Sequence, residues 1–363
     1  MVKKYNNNMK IKKGFLILTS IFLVIILSNV SSASNLNLIE NKNDNINIHD
    51  VTIIIADIYV DDDADPGWYD AKHVQTIQEG IDNATSGDFV YVYNGTYVFR
   101  AIVNKSIDIQ GECKFSTIKS YHGFLIEADN VNISGFTIQD VTHESWLMQA
   151  FTIIGNKVTI FNNIIENNMF SFWIDKATQV TIKNNNFTHN VYDILMRGSY
   201  ANLISDNNFM MSNYGIILSY SNNNIICYNT MISDNKGGII QLNECKDCTI
   251  SYNTLKNCYN GIEINGDFEK IKSWVGLNNI HHNHIENITE TGLFLGKTKI
   301  NNIHHNNFIN CEVNAFAFFS RFNIFRRNYW GRAKILPKRI RGIGSGLVLM
   351  KYDLFPALKP YEI

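Results

Sequence analysis

Apolar and polar positions recur along most of this chain with a period near 22 residues. Each unit reads as an apolar residue, two variable residues, Asn, one variable residue and a second apolar residue, and another apolar patch follows eight to nine residues after the Asn. The asparagines in this phase lie 22, 22, 22, 24, 30, 23 and 22 residues apart; they are Asn163, Asn185, Asn207, Asn229, Asn253, Asn283, Asn306 and Asn328. A repeat of this kind predicts a solenoid in which each unit is one turn of a coil.

The composition of the turns favours strands over helices. In a parallel β-helix successive turns stack ~4.8 Å apart, so a buried Asn side chain can bond peptide groups of the same corner one rung away. Prolines are confined to the ends of the chain, at Pro66, Pro337, Pro356 and Pro360. Strands that are paired on both edges cannot spare the N–H that proline lacks. We therefore predict an all-β fold, a parallel β-helix of roughly eleven rungs and about 50 Å of solenoid.

The two ends of the solenoid need covers. Thr76-x-x-Glu79 is a capping box followed by an Ile77/Ile81 apolar face, which predicts a short helix over the N-terminal opening. The pattern assigns residues 57–105 to this N-terminal cap, 106–330 to the rungs and 331–363 to a basic C-terminal cap.

The first 33 residues carry the features of a secretory signal peptide. Lysines precede an apolar run from Phe15 to Leu27, and small residues follow at a candidate cleavage site. This predominantly apolar run of 13 residues falls short of the ~20 that span a bilayer. With an Asn-rich linker at 34–56, the sequence predicts a secreted protein, extracellular or at the cell surface, without a transmembrane span in the mature chain.

Three segments carry a resemblance to a known superfamily. They are "IYVDDDADPGWYDAKHVQTIQEGIDNATSGDFVYVYNGTY" at 58–97, "NKSIDIQGE" at 104–112 and "NYWG" at 328–331. The chain from about residue 57 resembles the secreted right-handed parallel β-helix proteins of the NosD-like and pectate-lyase-like superfamily. The resemblance implies the right-handed fold. It leaves function open, because these proteins include polysaccharide lyases and hydrolases, adhesion proteins, and NosD, an accessory protein of copper-enzyme maturation.

Charge is balanced overall but uneven in its placement. The formal net charge is −1, which gives no reason to expect a nucleic-acid partner. Aspartates crowd the start of the cap, at Asp57, Asp61, Asp62, Asp63, Asp65 and Asp70. Between Val313 and Tyr352 there is no acidic residue, while nine cations occur there: Arg321, Arg326, Arg327, Arg332, Lys334, Lys338, Arg339, Arg341 and Lys351. One end of the solenoid is expected to be acidic and the other basic.

Catalytic residues are not evident. A lyase or hydrolase on this fold needs carboxylates, often with calcium, beside an Arg or Lys. Asp193 and Arg197 share one rung and Asp175 shares another with Lys176, but no second carboxylate stacks on either. The leading interpretation is a non-catalytic exported β-helix that binds polysaccharide or another cell-envelope component along its flank. A polysaccharide lyase or glycoside hydrolase, and a NosD-like copper or metal accessory protein, remain the alternatives.

A binding surface is suggested by the second strand of three successive units. If Ile216 and Leu218 point inward, Ile217 points outward, and the same phase holds Leu195 and Trp173 on the two preceding rungs. Three stacked apolar groups that include a Trp suit sugar-ring stacking or a protein contact. The competing interpretation is that a neighbouring loop or the N-terminal segment covers them.

Calcium is the first of two metal hypotheses. Asp61-x-Asp63-x-Asp65 alternates carboxylates as a calcium loop does, but Pro66 stands where an EF-hand has glycine, and the twelfth position is Lys72 rather than Glu. A solvated acidic loop is the alternative.

The second metal hypothesis concerns the histidines of "NIHHNHI" (279–285) and "NIHHNNF" (302–308). The repeat places His281 and His304 one rung apart, and His282 and His305 likewise at the corner. The sequence makes His282, His284 and His305 candidate zinc or copper ligands. Because Arg326 and Arg327 follow in the same phases, the alternative is a basic ladder that binds acidic ligands more tightly as pH falls from about 7.5 to 5.5.

The six cysteines show no disulfide framework. Cys245-Lys-Asp-Cys248 lacks the second pair that a zinc ribbon needs, and no connectivity can be derived from the spacings. We expect them to serve as small buried apolar residues.

Overall fold

The repeat units stack as turns of a coil in a computed structural model of the chain, and each turn gives one strand to each of three sheets. The structure describes residues 55–98, 100–112, 116–119, 123–140, 149–234, 237–266, 275–344 and 352–363. Residues Ile55–Ile363 form one compact unit. The predicted signal peptide, the linker as far as residue 54, and Cys113 lie outside the described residues.

The strands are short, and each sheet runs along the solenoid axis. Sheet A contains Ile58–Val60, His73–Val74, Phe89–Val92, Asp108–Gly111, Asn132–Ser134, Thr159–Phe161, Thr181–Lys183, Leu203–Ser205, Ile225–Cys227, Thr249–Ser251, Asn279–His281, Asn302–His304, Ile324–Arg326, Lys338–Arg339 and Tyr352–Asp353. Sheet B contains Gly95–Tyr97, Ser116–Lys119, Thr137–Gln139, Ile164–Glu166, Asn186–Thr188, Asn208–Met210, Thr230–Ile232, Thr254–Lys256, His284–Glu286 and Asn307–Ile309. Sheet C contains Ala101–Val103, Phe124–Ile126, Phe151–Ile153, Phe170–Asp175, Tyr192–Arg197, Tyr214–Ser219, Ile240–Asn243, Ile262–Asn265, Thr291–Gly296, Val313–Phe318 and Arg341–Ile343. Val275–Gly276 pairs with Thr298–Lys299 outside these sheets.

Pairing between successive turns is parallel and in register. Ile160 lies opposite Ile182, and Ile182 lies opposite Ile204, and all three are buried. The inward positions of the three sheets are filled by Ile, Val, Leu and Phe, which form one continuous apolar core. The predicted all-β fold, a right-handed parallel β-helix with turns near 22 residues, is confirmed.

A ladder of buried asparagines lies at the corner between sheets A and B. The backbone N–H of Asn185 donates to Oδ1 of Asn207 at 3.0 Å, and the N–H of Asn207 donates to Oδ1 of Asn229 at 3.0 Å. The Asn207 amide also donates to the Ile182 carbonyl at 2.9 Å. Each asparagine therefore satisfies the backbone of a neighbouring turn, as the sequence predicts.

The residue before each ladder asparagine adopts a left-handed backbone conformation. The φ angles are 54° at Asn184, 57° at Asp206, 57° at Tyr228 and 53° at His282. Left-handed backbone costs roughly 1–2 kcal/mol for most residues, and Asn and Asp tolerate it best. The hydrogen bonds of the ladder hold this conformation, so that Tyr, His and Arg also occupy the corner in the later turns.

The N-terminal end is covered by the helix Ile77–Asn83, preceded by a 3-10 turn at Pro66–Trp68. Both bonds of the predicted Thr76/Glu79 capping box are present. Within the described part of the chain, no helix is long and apolar enough to cross a membrane.

The C-terminal end closes around the buried carboxylate of Asp353, which takes the place of the next ladder asparagine. Its Oδ2 accepts the Asn328 backbone N–H at 2.9 Å and the Trp330 indole N–H at 3.1 Å. The Trp330 ring stacks on Phe308 at 4.8 Å between centroids. The "NYWG" segment and the tail thus share one buried polar anchor.

The described cysteines are unpaired. Cys227, Cys245, Cys248 and Cys258 are buried and Cys311 is partly buried. Burial raises the pKa of the Cys258 and Cys311 thiols to about 12. They act as small apolar residues, in agreement with the expectation from their spacing.

Replacing Asn207 with Ala tests the ladder. The change leaves the Asn185 N–H without its partner and removes one of the two donors to the Ile182 carbonyl, and a buried unsatisfied group costs about 1–3 kcal/mol. We expect a loss of roughly 3 kcal/mol in the free energy of unfolding, measured by denaturant titration. The matched control is Asn208→Ala, on the next residue, whose side chain is exposed. Equal losses in the two variants would show that the ladder does not stabilise the corner.

Candidate functional site

The predicted apolar stripe lies on the outer face of sheet C. Trp173 pairs with Leu195, and Leu195 pairs with Ile217, each one rung apart. All three side chains are partly exposed, whereas Ile216 and Leu218 are buried. The structure therefore brings the three sequence-predicted residues together and points them outward.

The same outward phase continues beyond the predicted stripe. Ile217 pairs with Gln241, and Gln241 pairs with Glu263. Farther along, the rings of Phe294 and Phe316 stack in parallel, with centroids 6.1 Å apart. Sequence reasoning missed this continuation because the Gly237-Gly238 pair obscured the register. The 24-residue interval from Ile217 to Gln241 was the signal that could have revealed it.

Polar side chains run beside the stripe, two residues farther along each strand. This polar ladder consists of Asp175, Arg197, Ser219, Asn243 and Asn265.

An aromatic column lies on the other side of the stripe. The buried Phe170 stacks on the partly exposed Tyr192 at 5.0 Å, and Tyr192 stacks on the exposed Tyr214 at 4.7 Å between centroids. The face thus combines apolar, aromatic and hydrogen-bonding groups, each repeated at the rung spacing.

Carboxylates on this sheet are dispersed. Asp193 points inward, where its Oδ1 accepts bonds from the Asn190 amide and the Ser212 hydroxyl, both at 3.0 Å. Burial raises its pKa well above the usual range, so it is not a surface acid. On the described strands of sheet C the outward carboxylates are Asp175 and Glu263, which lie four rungs apart, or about 19 Å. Burial also raises the pKa of Glu263.

The acidic turn gathers a different set of aspartates from the one predicted. Carboxylate oxygens of Asp61, Asp62 and Asp63 lie within 4.8 Å of one another. Burial, and then the neighbouring Asp63 and Asp62, raise the pKa of Asp61. Asp65 is outside this group and precedes the 3-10 turn instead. Asp62 Oδ2 accepts the Thr96 N–H at 3.1 Å, so part of the cluster stabilises the cap.

Four histidines form a quartet where two interior strands of sheet A end, at the corner with sheet B. His281 stacks on His304 and His282 on His305, both at 5.0 Å between centroids and within 5° of parallel. Within each rung the two Nδ1 atoms approach each other, at 2.9 Å for His281 and His282 and at 2.8 Å for His304 and His305. In each pair one nitrogen donates and the other accepts.

Aromatic rings enclose the outer column of this histidine quartet. Tyr252 stacks on His282 at 4.9 Å, and Tyr361 contacts His305 at 5.2 Å between centroids. Neither tyrosine was among the candidates from the sequence. The repeat does place Tyr252 in the phase of His282 one turn earlier, whereas no pattern in the sequence indicates Tyr361.

Burial and positive neighbours keep the quartet neutral. The pKa of all four imidazoles is lowered, first by burial. His304 falls to about 4, with further contributions from His281, His305 and Arg326. Arg327 and Arg326 lower the pKa of His305, while Asp353 acts in the opposite direction. The histidine quartet therefore becomes positively charged at a lower pH than the sequence predicts.

His284 does not join the quartet. It lies on sheet B, where its Nε2 is 3.0 Å from Glu286 Oε2, and Lys256 contacts the same carboxylate at 3.1 Å. The corner between sheets A and B separates it from His282. Of the three predicted ligands, the structure brings His282 and His305 together and places His284 on another face.

Acid should destabilise the fold through the quartet. The folded-state pKa values lie below the usual histidine value of 6.5, so this contribution to stability is present above pH 6.5 and is lost as pH falls toward the folded values. When the pH is lowered from 7.5 to 5.0 at fixed ionic strength, we expect the melting temperature of His304→Gln to fall by less than that of the unsubstituted chain. Asn208→Ala, which changes an exposed side chain that does not titrate, is the control and should lose as much as the unsubstituted chain. Identical pH profiles for the unsubstituted chain and His304→Gln would contradict this.

Several solved structures are similar in fold to this chain. The chain is similar to the catalytic unit of thermostable GH87 alpha-1,3-glucanase from Streptomyces thermodiastaticus strain HF3-3, with a TM-score of 0.53 and 13% identity over 78% of this chain and 64% of that one. It is similar to Dettilon tailspike protein, with a TM-score of 0.53 and 12% identity over 77% and 64%. For a hyperthermoactive exopolygalacturonase from Thermotoga maritima the TM-score is 0.50, with 9% identity over 71% and 83%.

These likenesses are evidence of the fold alone, and the chain spans 64% of the length of the first two structures. No curated protein matches the sequence. The family described as "Periplasmic copper-binding protein (NosD)" matches residues 81–342, well over half of the chain. The chain therefore belongs to the NosD family of right-handed parallel β-helix proteins.

Proposed function

We propose that this protein is an exported, non-catalytic β-helix that binds a polysaccharide along the outer face of sheet C. The observation that carries the proposal is the in-register stripe of Trp173, Leu195 and Ile217 beside the polar ladder. The N-terminal apolar run and the periplasmic description of the family support export.

The chemistry of the face suits a sugar polymer. An aromatic ring and aliphatic side chains offer a flat apolar surface for the C–H face of a sugar ring. Carboxylate, guanidinium, hydroxyl and amide groups of the polar ladder lie two residues away, about 6.6 Å along the strand, where they can bond sugar hydroxyls. Because both sets repeat every ~4.8 Å along the axis, the face fits an extended polymer better than a small ligand.

The spacing of the carboxylates favours binding over cleavage. Glycosidases use two carboxyl groups about 5–9.5 Å apart across the scissile bond. Asp175 and Glu263 are about 19 Å apart, and Asp193 is turned into the core. The alternative of a lyase or hydrolase would need acids from outside the described strands of sheet C. Similarity to a glucanase and an exopolygalacturonase is compatible with a carbohydrate ligand.

Replacing Trp173 with Ala tests the binding face. Loss of an aromatic contact costs ~1 kcal/mol or more, so affinity for the best ligand of a glycan array should fall about fivefold or more. The matched control is Phe161→Ala, which removes a partly exposed aromatic side chain from sheet A. Affinity should be measured by titration calorimetry, with the melting temperature checked for both variants. Unchanged affinity in Trp173→Ala, or equal losses in both, would place the site elsewhere.

The same samples test catalysis. Uronate-containing and neutral polysaccharides incubated with the protein and calcium should bind without forming new reducing or unsaturated ends. Sustained release of such ends would contradict the non-catalytic proposal.

Metal binding by the histidine quartet is a second candidate function. Its two rungs each present a pair of Nδ1 atoms 2.8–2.9 Å apart. Two nitrogens at that separation, each ~2.0–2.1 Å from an ion, subtend about 90°, an angle that suits a tetragonal copper(II) site. The lowered pKa values keep the imidazoles neutral at neutral pH, and binding of one ion by both Nδ1 atoms of a pair would require the donating Nδ1 to give up its hydrogen. The family description supports copper over zinc.

Other features of the quartet oppose metal binding. The described chain holds no group of three histidine, cysteine or acidic donors within 4.8 Å here, so an ion would need outside ligands. Arg326 and Arg327, one rung beyond, repel a cation. For these reasons polysaccharide binding remains the leading proposal.

Calorimetric titration with copper(II) and zinc tests the metal candidate at the histidine quartet. If the quartet is a metal site, binding is stoichiometric and submicromolar, and it is abolished by His282→Ala combined with His305→Ala. His284→Ala is the control and leaves the affinity unchanged, because His284 faces Glu286 on sheet B. Absence of binding, or equal loss in the control, removes the metal candidate.

A further inference from the structure

Large apolar side chains stand exposed at the C-terminal end of the solenoid. Ile335 is 90% exposed, Leu336 76%, Phe355 71%, Leu358 61% and Ile343 59%. They lie in segments that follow the last full turn: the 331–337 loop, the strand Arg341–Ile343 and the tail after Asp353. Scattered exposed apolar residues are ordinary, but this set is concentrated at one end of the molecule.

Hydrogen bonds hold the tail in place. The Arg327 N–H donates to the Phe355 carbonyl at 2.9 Å, and the Ala357 N–H donates to the Asn328 carbonyl at 2.9 Å. The Phe355 N–H donates to the buried carboxylate of Asp353 at 3.2 Å. Asn307 and Tyr361 exchange two further bonds at 2.9 Å. Phe355 and Leu358 therefore face solvent from an anchored segment.

Cations flank the exposed apolar residues of the 331–343 segment along the chain. Arg332, Arg339 and Arg341 are exposed, and Lys334 and Lys338 are partly exposed. Burial lowers the pKa of Lys338, and the positive charges of Lys334, Arg341 and Arg332 lower it further, which shows that these cations lie close together.

Few acids face this cluster. Asp353 is buried and accepts N–H groups of the last turn, while Glu312 borders the small pocket that Arg339 and Arg341 line. Glu362 is exposed in the tail.

We propose that this end of the solenoid, the C-terminal docking end, binds an anionic lipid surface. Exposed aliphatic and aromatic tips enter the boundary between headgroups and acyl chains, and the neighbouring cations meet the lipid phosphates. A sugar polymer would satisfy the cations but not Ile335 and Leu336, which have no ring to stack. The acidic cap of a second copy would likewise match the charge and leave these side chains in water.

Vesicle binding tests this interaction. The full chain is mixed with vesicles of neutral phosphatidylcholine alone or with added anionic phosphatidylglycerol, and binding is measured by co-sedimentation. Ile335→Ser with Leu336→Ser, and separately Arg332→Gln with Arg339→Gln, should each weaken binding to anionic vesicles about tenfold or more. Ile225→Ser is the matched control, because Ile225 is an exposed apolar residue on sheet A far from this end. It should bind as the unsubstituted chain does.

A local probe separates this end from the apolar run near the N-terminus, which all variants share. Leu336→Cys labelled with an environment-sensitive fluorophore should shift to the blue on anionic vesicles, and a label at Ile225→Cys should not. Absence of a shift overturns the proposal. Binding to a soluble acidic polysaccharide that depends on the arginines alone also overturns it, as does capture of a membrane protein without any binding to protein-free vesicles.

Discussion

The hydrogen bond from each buried asparagine to the next turn is the interaction on which the rest of this structure depends. It satisfies a backbone N–H at a corner where the chain turns in the left-handed region and no strand partner is present. It also tolerates unequal turns: Asn229 still reaches Asn253 at 3.0 Å across 24 residues, and Asn253 reaches Asn283 at 3.1 Å across 30. Extra residues are therefore placed outside the ladder, and the register of the sheets is preserved.

Preserved register turns sequence repetition into surface chemistry. Residues one turn apart lie ~4.8 Å from each other, so like side chains form columns. For Trp173, Leu195 and Ile217 the result is a continuous apolar stripe. For the histidines the same stacking lowers the imidazole pKa values, first through burial and then through the neighbouring imidazoles and the arginines beyond them. The same in-register stacking thus produces both the apolar stripe on sheet C and the neutral imidazole cluster at the corner of sheet A.

The asparagine ladder ends at its C-terminal side on an aspartate instead of an asparagine. An asparagine both accepts from one turn and donates to another, so the ladder cannot end on an asparagine without leaving groups unpaired. Asp353 ends it with a carboxylate that only accepts, and it receives the N–H groups of Arg327 and Asn328 together with the Trp330 indole. This closure fixes the tail, which presents Phe355 and Leu358 of the C-terminal docking end to solvent.

The sequence by itself determined the features that depend on local period. The Asn phase, the absence of proline from the turns, the Thr76/Glu79 capping box and the outward direction of Trp173 were all predictable, because strand alternation and turn length are visible along the chain. Only the tertiary structure decided what happens where the chain changes direction. His284 is two residues from His282 yet lies on another sheet, Asp62 rather than Asp65 joins Asp61 and Asp63, and Asp193 turns into the core. Asp353 bonds to the asparagine ladder although it lies 25 residues beyond Asn328, in a segment that carries no repeat of the Asn pattern. The direction of a side chain at a corner and the contacts of irregular segments depend on how distant parts of the chain pack together. A periodic sequence pattern does not contain that information.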